Sequence, residues 1–314
     1  MNTHYVLLDG RAAIAAPGQT PDVSLYEAPH ADEQRAAIAQ LGIDARNLAG
    51  ALDADELARV DFAPGCLSII WKQPQNVSVA AQLRFDVGSM GLFLRQGRLG
   101  VVTDGSVPVL AAQNCQGCGS GSDVFLHLLD QTVQHYLGHL KAIKQITAEL
   151  GDKITSSTEN QYLLQMLALG ESLIYYIDAI EANSAVLAKL QAHLDRLDFT
   201  LAQIELLNDV AMDNQQCARQ ARIHSEVVSG LMDARGTVIG NNVSILLKKL
   251  TLINIVFLPL NLIAGIGGMS EFSMMTQGID WRISYALFAI GMLALGWGMW
   301  HALIRVLEKR QARR

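Results

Sequence analysis

Two long uncharged runs near the C-terminal end set the strongest limit on how this chain folds. Leu250–Met269 contains no charged side chain, nor does Ile283–Ile304, and only the short stretch 270–282 separates them. At about 1.5 Å of rise per helical residue, each run reaches roughly 30 Å, the thickness of a bilayer's hydrocarbon core. A pair of buried core helices is the alternative, and it fits poorly with two such runs placed side by side at one end. The reading is two transmembrane helices, 250–269 and 283–304, joined by a short outer loop, 270–282.

Charge sets the orientation. Lys248 and Lys249 precede the first run, and Arg305, Lys309, Arg310, Arg313 and Arg314 follow the second. The connecting loop sets Arg282 against Glu271 and Asp280. Basic residues collect on the cytoplasmic side, so both termini are expected inside, with 305–314 a basic cytoplasmic tail and the loop in the periplasm. The opening MNTHYVLLDGR has neither a basic head nor an apolar signal core, and suggests no secretion. A bacterial inner membrane is the simplest setting. Residues 1–249 carry 18 basic and 27 acidic side chains, a net of −9, against 6 and 3 in the remainder. Such a body attracts cations and disfavours nucleic acid.

Proline divides the rest. Pro17, Pro21, Pro29, Pro64, Pro74 and Pro108 lie early, Pro259 lies in the first run, and between Pro108 and Pro259 there is none. Interior proline costs a helix about 3 kcal/mol, so this stretch favours long helices. Before it, VLLDG, SLYEA, CLSIIWKQ, AQLRFDV, GLFLRQG and LGVVTDG read as short strands between Gly or Asp turns. Ala31–Leu41 and Asp53–Val60 read as helices, the second opened by an Asp cap. The expectation is an α/β domain over 1–114 and a long-helix stalk region over 115–249.

Within that region, Ser122–Leu150 is one expected helix and Ser157–Leu197 another. Leu173, Ile177, Ile180, Leu187, Leu190, Leu194, Leu197, Leu201 and Ile204 form a coiled-coil-like stripe. After a bend near Asp198 the pattern resumes through Val210, Val227, Leu231 and Val238 and meets no stop before Leu250. That last helix would be on the order of 100 Å long. Parallel copies in an oligomer would give it partners.

No Ser/His/Asp set, phosphate loop or paired carboxylate stands out, so an enzyme reading has no footing. Cys115 and Cys118, with His135 and His139 further on, imitate a two-cysteine, two-histidine zinc arrangement. The gap is long, however, and a loop thiol pair beside an ordinary helix explains them equally. Cys66 and Cys217 read as small buried apolar residues. Asn254 and Asn261 lie seven residues apart, on one helical face, where a carboxamide against lipid would be costly. They are either interhelical hydrogen-bonding groups or a polar stripe in a water-filled pore. Ser244 and Gly265 extend the line and favour the pore, with Leu247, Leu250 and Leu258 as apolar constrictions on much the same face. Pro259 leaves the Ile255 carbonyl without its helical donor. Gly291, Ala294, Gly296 and Gly298 permit close helix contact in the second run.

The first run and its exit, LPLNLIAGIGGMSEF, resemble the matching segment of CorA-type divalent-cation transporters, which reads close to PLTxIAGxYGMNF. VVSGLMDARG and NNVSILLKKLTL resemble the helix that leads into the pore, and GLFLRQGRLGVVTD fits the family's α/β domain. The resemblance implies an α/β cytoplasmic domain, a long α-helical stalk and two C-terminal transmembrane helices, assembled as a homopentameric CorA-like funnel in lipid. It implies a divalent cation, Mg2+ or another, as the transported ion and as a regulatory one. The selectivity signature Gly-Met-Asn aligns with Gly268, Met269 and Ser270, so the asparagine is replaced, and Gly267 stands where the family has an aromatic. Mg2+ keeps its waters, which a ring of carboxamides can read. Serine reaches less far, while Glu271 directly after it would form a negative collar in a ring of copies. Two readings follow: a channel of altered selectivity, or a non-conducting sensor or scaffold. The family also gates through acidic stalk residues, for which Asp209, Asp213 and Asp233 are the candidates.

Overall fold

The computed structural model describes residues 2–8, 11–16, 18–75, 84–105, 118–156, 160–268, 274 and 278–311. Among them, seven strands form one mixed sheet: β1 (Asn2–Leu8), β2 (Arg11–Ile14), β3 (Val23–Glu27), β4 (Arg59–Ala63), β5 (Cys66–Pro74), β6 (Val87–Arg95) and β7 (Arg98–Thr103). Their order is β2-β1-β3-β7-β6-β5-β4, with β3 and β7 parallel and the other pairings antiparallel. Successive strand residues face opposite sides, so the apolar runs divide between two cores. Leu25, Ile69, Trp71, Leu92 and Val101 enter one core, while Tyr26, Ile70, Phe93 and Val102 enter the other. A sheet covered on both faces needs such near-continuous apolar strands.

The smaller core is closed by α1 (Ala31–Leu41) and α2 (Ala45–Leu52) through Ala37, Leu48 and Ala51. Here the expected helix at Asp53–Val60 is corrected. The helix lies one segment earlier, Asp53 is its C-terminal cap, and Arg59 already belongs to β4. Tertiary pairing decides this: β4 runs from Arg59 opposite Ile70 to Ala63 opposite Cys66, closed by Pro64–Gly65 with Gly65 at φ +71°. Proline followed by a glycine with positive φ suits a tight two-residue turn, and the hairpin overrides the local helix signal. AQLRFDV is also corrected. Its first three residues lie outside the described ones, Arg84 makes only an isolated bridge, and β6 starts at Val87.

The larger core is closed by α3 (Gly121–Ser156), α4 (Gln161–Ala192) and the first part of α5 (Leu201–Gly267). A capping box opens α3. Asp123 Oδ2 accepts from the Ser120 hydroxyl and from the backbone N–H groups of Gly119 and Ser120, each at 2.9 Å. In return the Ser120 Oγ accepts from the Asp123 N–H at 3.3 Å. Burial pushes the Asp123 carboxyl up, but these bonds and one from Gln203 together hold it below the usual carboxylate range. The expected helix to Leu197 ends at Ala192, followed by a 3₁₀ turn at Leu194–Arg196. The stripe therefore breaks: Leu173, Ile180, Leu187 and Leu190 are buried in the core, whereas Leu201 starts the next helix 77% exposed. That stripe packs on the sheet and α3 of its own chain.

Polar bonds also pin α4 to the sheet. β4 begins opposite Ile70, so among the described residues no strand lies beside the edge of β5 at Lys72. The fully buried Asn183 of α4 takes that place: its Oδ1 accepts from the Lys72 N–H at 2.9 Å and its Nδ2 donates to the Lys72 carbonyl at 2.8 Å. The Lys72 ammonium is buried too and donates to the carbonyls of Ala54 and Glu56 and to Ser89 Oγ. Burial lowers its pKa against the opposing pull of Asp55, Asp178 and Asp53.

By contact density the chain divides between Asp233 and Ala234, inside α5. The second unit holds the rest of α5, which continues helical through Pro259, and α6 (Trp281–Gln311). Among the described residues, three helices are long and apolar enough to cross a membrane, α4, α5 and α6, rather than two.

Candidate functional site

In the second unit, burial selects one face of each helix. From Leu250 onward on α5 the described residues that lose exposure are Leu252, Val256, Pro259, Leu260 and Ile263, and on α6 up to Ala302 they are Ser284, Phe288, Met292, Gly296 and Met299. Both sets repeat every three or four positions, one stripe per helix. Gly296 marks the close approach, since a Cβ there would stand 3.2 Å from Leu260 Cδ1. Gly291 and Gly298 have open space instead and line a shallow groove of about 500 Å³ with Ala294 and Ala302.

The sequence-proposed pore residues lie elsewhere on α5. Ser244, Leu247, Leu250, Asn254, Leu258, Asn261, Gly265 and Gly268 are all exposed in the single chain. At about 100° per residue, Asn254 and Asn261 are some 20° apart and on the order of 150° from Val256. Leu247, Leu250, Leu258 and Gly265 fall within about 40° of Asn254 by the same rule, whereas Ser244 has drifted by about 80°. The Ser244 hydroxyl donates to the Gly240 carbonyl at 2.9 Å and that of Thr251 to Leu247 at 2.8 Å, both on their own helix. Met269, Ser270 and Glu271 lie outside the described residues.

Much apolar area remains uncovered here. Leu247, Leu250 and Leu258 on α5 and Leu287, Leu293 and Trp297 on α6 are all more than half exposed. A water-soluble surface rarely carries a contiguous patch of this kind. Lipid satisfies it, because both segments bond their own backbones as helices.

The three acidic candidates are spread along α5. Asp209 and Asp233 are exposed, whereas Asp213 is half-buried and its Oδ2 accepts from Gln134 of α3 at 2.9 Å. Asp209 and Asp213 are one turn apart, while Asp233 is about 30 Å further along. Among the described residues, no group of three or more His, Cys, Asp or Glu is arranged to hold a metal ion.

The zinc-like set is also taken apart. Cys115 lies outside the described residues, and Cys118 is buried just before α3. From Gly121 to His135 the helix rises about 21 Å, so Cys118 cannot share an ion with the histidines. Cys217 is buried as expected, whereas Cys66, at the start of β5, is only half-buried; desolvation pushes the Cys217 thiol up to about 12. Desolvation lowers His135, and desolvation with the neighbouring His135 lowers His139 to about 4. The helix-facing stripe Leu252–Val256–Ile263 went unread in the sequence, because an uncharged span has apolar residues all round and no periodicity to mark the packed side.

Comparison with known proteins decides the family. The family described as CorA-like Mg2+ transporter protein matches residues 25–305. The chain belongs to the CorA family. A cobalt/magnesium transport protein CorA from Methanocaldococcus jannaschii is 22% identical over 248 residues, 74% of each chain. The complete structure of the CorA magnesium transporter from that organism superposes with a TM-score of 0.75 at 17% identity, covering 98% of this chain and 96% of the other. Full-length CmaX gives 0.70 at 14% identity, covering 96% and 97%. The chain is thus a multi-pass membrane protein with the CorA-family fold: an α/β domain, C-terminal apolar helices, and a transporter or channel architecture for divalent cations in general, not that of an enzyme.

Proposed function

We propose that this CorA-family member is a homopentameric divalent-cation channel of altered selectivity, with its pore lined by the first of two membrane spans. The observation that carries the reading is the division of α5 into two faces. Leu260 meets Gly296 of α6, and Leu252, Val256 and Ile263 lose exposure on the same side, while Asn254 and Asn261 stand on the opposite side with Leu247, Leu250 and Leu258. In a ring of copies the second face turns inward and supplies polar groups between apolar constrictions. α4 stays in the cytoplasmic body on this reading, leaving residues 250–269 and 283–304 as the spans. The lysines before the first and the basic tail after the second set both termini in the cytoplasm, in a bacterial inner membrane, and residues 270–282 in the periplasm.

Gly268, Met269, Ser270 and Glu271 form the mouth. With serine for asparagine and a carboxylate next to it, entry rests more on attraction of charge than on reading a hydration shell. Asp209, Asp213 and Asp233 are the proposed regulatory cation ligands, completed by a neighbouring copy. The second reading, a non-conducting sensor or scaffold, is favoured by Ser270 alone.

Flux into proteoliposomes, measured for Mg2+, Ca2+, Co2+, Ni2+ and Zn2+, separates the two. The channel reading expects flux of at least one ion and its loss in Asn261→Leu. No flux of any of these ions, with transport appearing in Ser270→Asn, would establish the non-conducting reading instead.

A further inference from the structure

HYLGH, residues 135–139 on α3, takes no part in the proposed pore. His135 and His139 are one turn apart on the same flank, with ring centroids 4.4 Å apart and planes at 65°. An (i, i+4) pair on one helical face can direct two imidazole nitrogens at a single ion. His139 is held in place from α4: its Nδ1 lies 2.6 Å from the Tyr176 hydroxyl, and its ring runs nearly parallel to that of Tyr176, at 16°. Phe85 meets both rings edge-on. With the proton on Nδ1 donated to the Tyr176 oxygen, Nε2 keeps its lone pair free of that bond. Outer partners of this kind orient metal-bound histidines and fix their tautomer. Both imidazoles are half-buried, and beside Gly138, which stands between them, a Cβ would meet no heavy atom within 4 Å.

We propose that His135 and His139 form a binding site for a first-row divalent ion that favours nitrogen, such as Zn2+, Ni2+, Co2+ or Cu2+. Nε2 of each ring supplies one ligand. No third His, Cys, Asp or Glu completes the group among the described residues, so water fills the other positions. Imidazole pairs suit these ions, whereas Mg2+ prefers oxygen and retains its hydration shell. The residue after the first histidine is Tyr136, fully buried, where metalloprotease helices carry a glutamate general base. The site therefore holds an ion and has no hydrolytic base. It stands apart from the pore reading and survives the failure of that reading.

The test is Zn2+ binding to the purified full-length protein in detergent micelles, with millimolar Mg2+ present to occupy oxygen sites. The native chain should bind one equivalent more than either His135→Gln or His139→Gln. Tyr176→Phe, which keeps the stacked ring and removes the hydroxyl, should weaken that equivalent about 10-fold. Cys118→Ser should leave it unchanged. With Cu2+ replacing Zn2+, electron paramagnetic resonance should show two coupled nitrogens, of which one is lost in each histidine variant. The proposal is overturned if native and variant proteins bind alike, if only one histidine matters, or if no nitrogen coupling is seen. Native circular dichroism in His135→Gln, a change on a half-exposed flank, separates lost ligation from lost folding.

Discussion

α4 and α6 pass the same test of length and apolarity for crossing a membrane, yet they are used in opposite ways. In the most apolar window of α4, 39% of residues are buried within the protein, against 0% for α6. The faces they leave exposed differ as well. α4 presents Glu171, Asp178, Glu181 and Lys189 outside its buried stripe, whereas 283–304 of α6 has no charge on any side. Leu169, Leu173, Tyr176, Ile180 and Leu187 of α4 are absorbed by the larger core. Asn183 and Ser172 bond backbone of the α/β domain directly, Ser172 accepting from the Phe85 N–H at 3.1 Å. Apolarity measures how much surface must leave water; it does not say whether protein or lipid receives it.

The contrast can be broken experimentally, and the largest effect lies in the second unit. Asn261→Leu should reduce ion flux to that of empty vesicles while the protein still inserts; undiminished flux would remove this face of α5 from the pore. Next is labelling by a membrane-impermeant maleimide of inside-out vesicles, in a chain whose native cysteines are all changed to serine. Ile174→Cys on α4 should react, and Leu293→Cys on α6 should not; protection of both would make α4 a third span.

Smaller effects sharpen the same comparison. Leu173→Ala should destabilise the α/β unit by about 2–5 kcal/mol, and Leu293→Ala by less than about 0.5 kcal/mol. Urea unfolding reads this through the fluorescence of buried Trp71, with Trp281, Trp297 and Trp300 changed to Phe; equal midpoint shifts would mean that α4 is not packed as described. Asn183→Ala strands the N–H and carbonyl of Lys72 and should cost about 2–4 kcal/mol in the same assay. Asp123→Asn should cost about 1 kcal/mol, and its cost should depend on pH. The folded-state pKa of Asp123 is depressed. Its contribution is therefore complete above the unfolded pKa of about 4 and disappears as pH falls through the folded value, so native and variant stabilities should converge in acid. A gap that persists in strong acid would assign the effect to something other than this carboxylate.

The sheet shows how far local signals reach. CLSIIWKQ, GLFLRQG and LGVVTDG are legible as strands, because runs of branched and aromatic residues bounded by turn residues admit few other readings. DADELARV misleads, because an acidic cap and a following glutamate favour a helix locally while the pairing of Arg59–Ala63 with β5 is non-local. The stripe from Leu173 to Leu190 has the period of a coiled coil, and its partner, the sheet of its own chain, is folded from residues much earlier in the sequence. At the candidate pore, the seven-residue spacing of Asn254 and Asn261 marks their shared face. The face that carries Leu252, Val256 and Ile263 has no such mark, since apolar residues occur on every side of that span.

The sequence by itself determined that two uncharged spans stand side by side, that the proline-free stretch between Pro108 and Pro259 favours helices, and that LPLNLIAGIGGMSEF has a CorA-like exit. Each is a local property of composition, spacing or order. Only the tertiary structure decided which apolar helix the sheet absorbs, where the stripe after α4 breaks, and that Tyr176 holds His139. The placement of the apolar helix and the grip of Tyr176 on His139 depend on contacts between residues far apart in the chain, and local spacing carries no record of which distant surface will meet them.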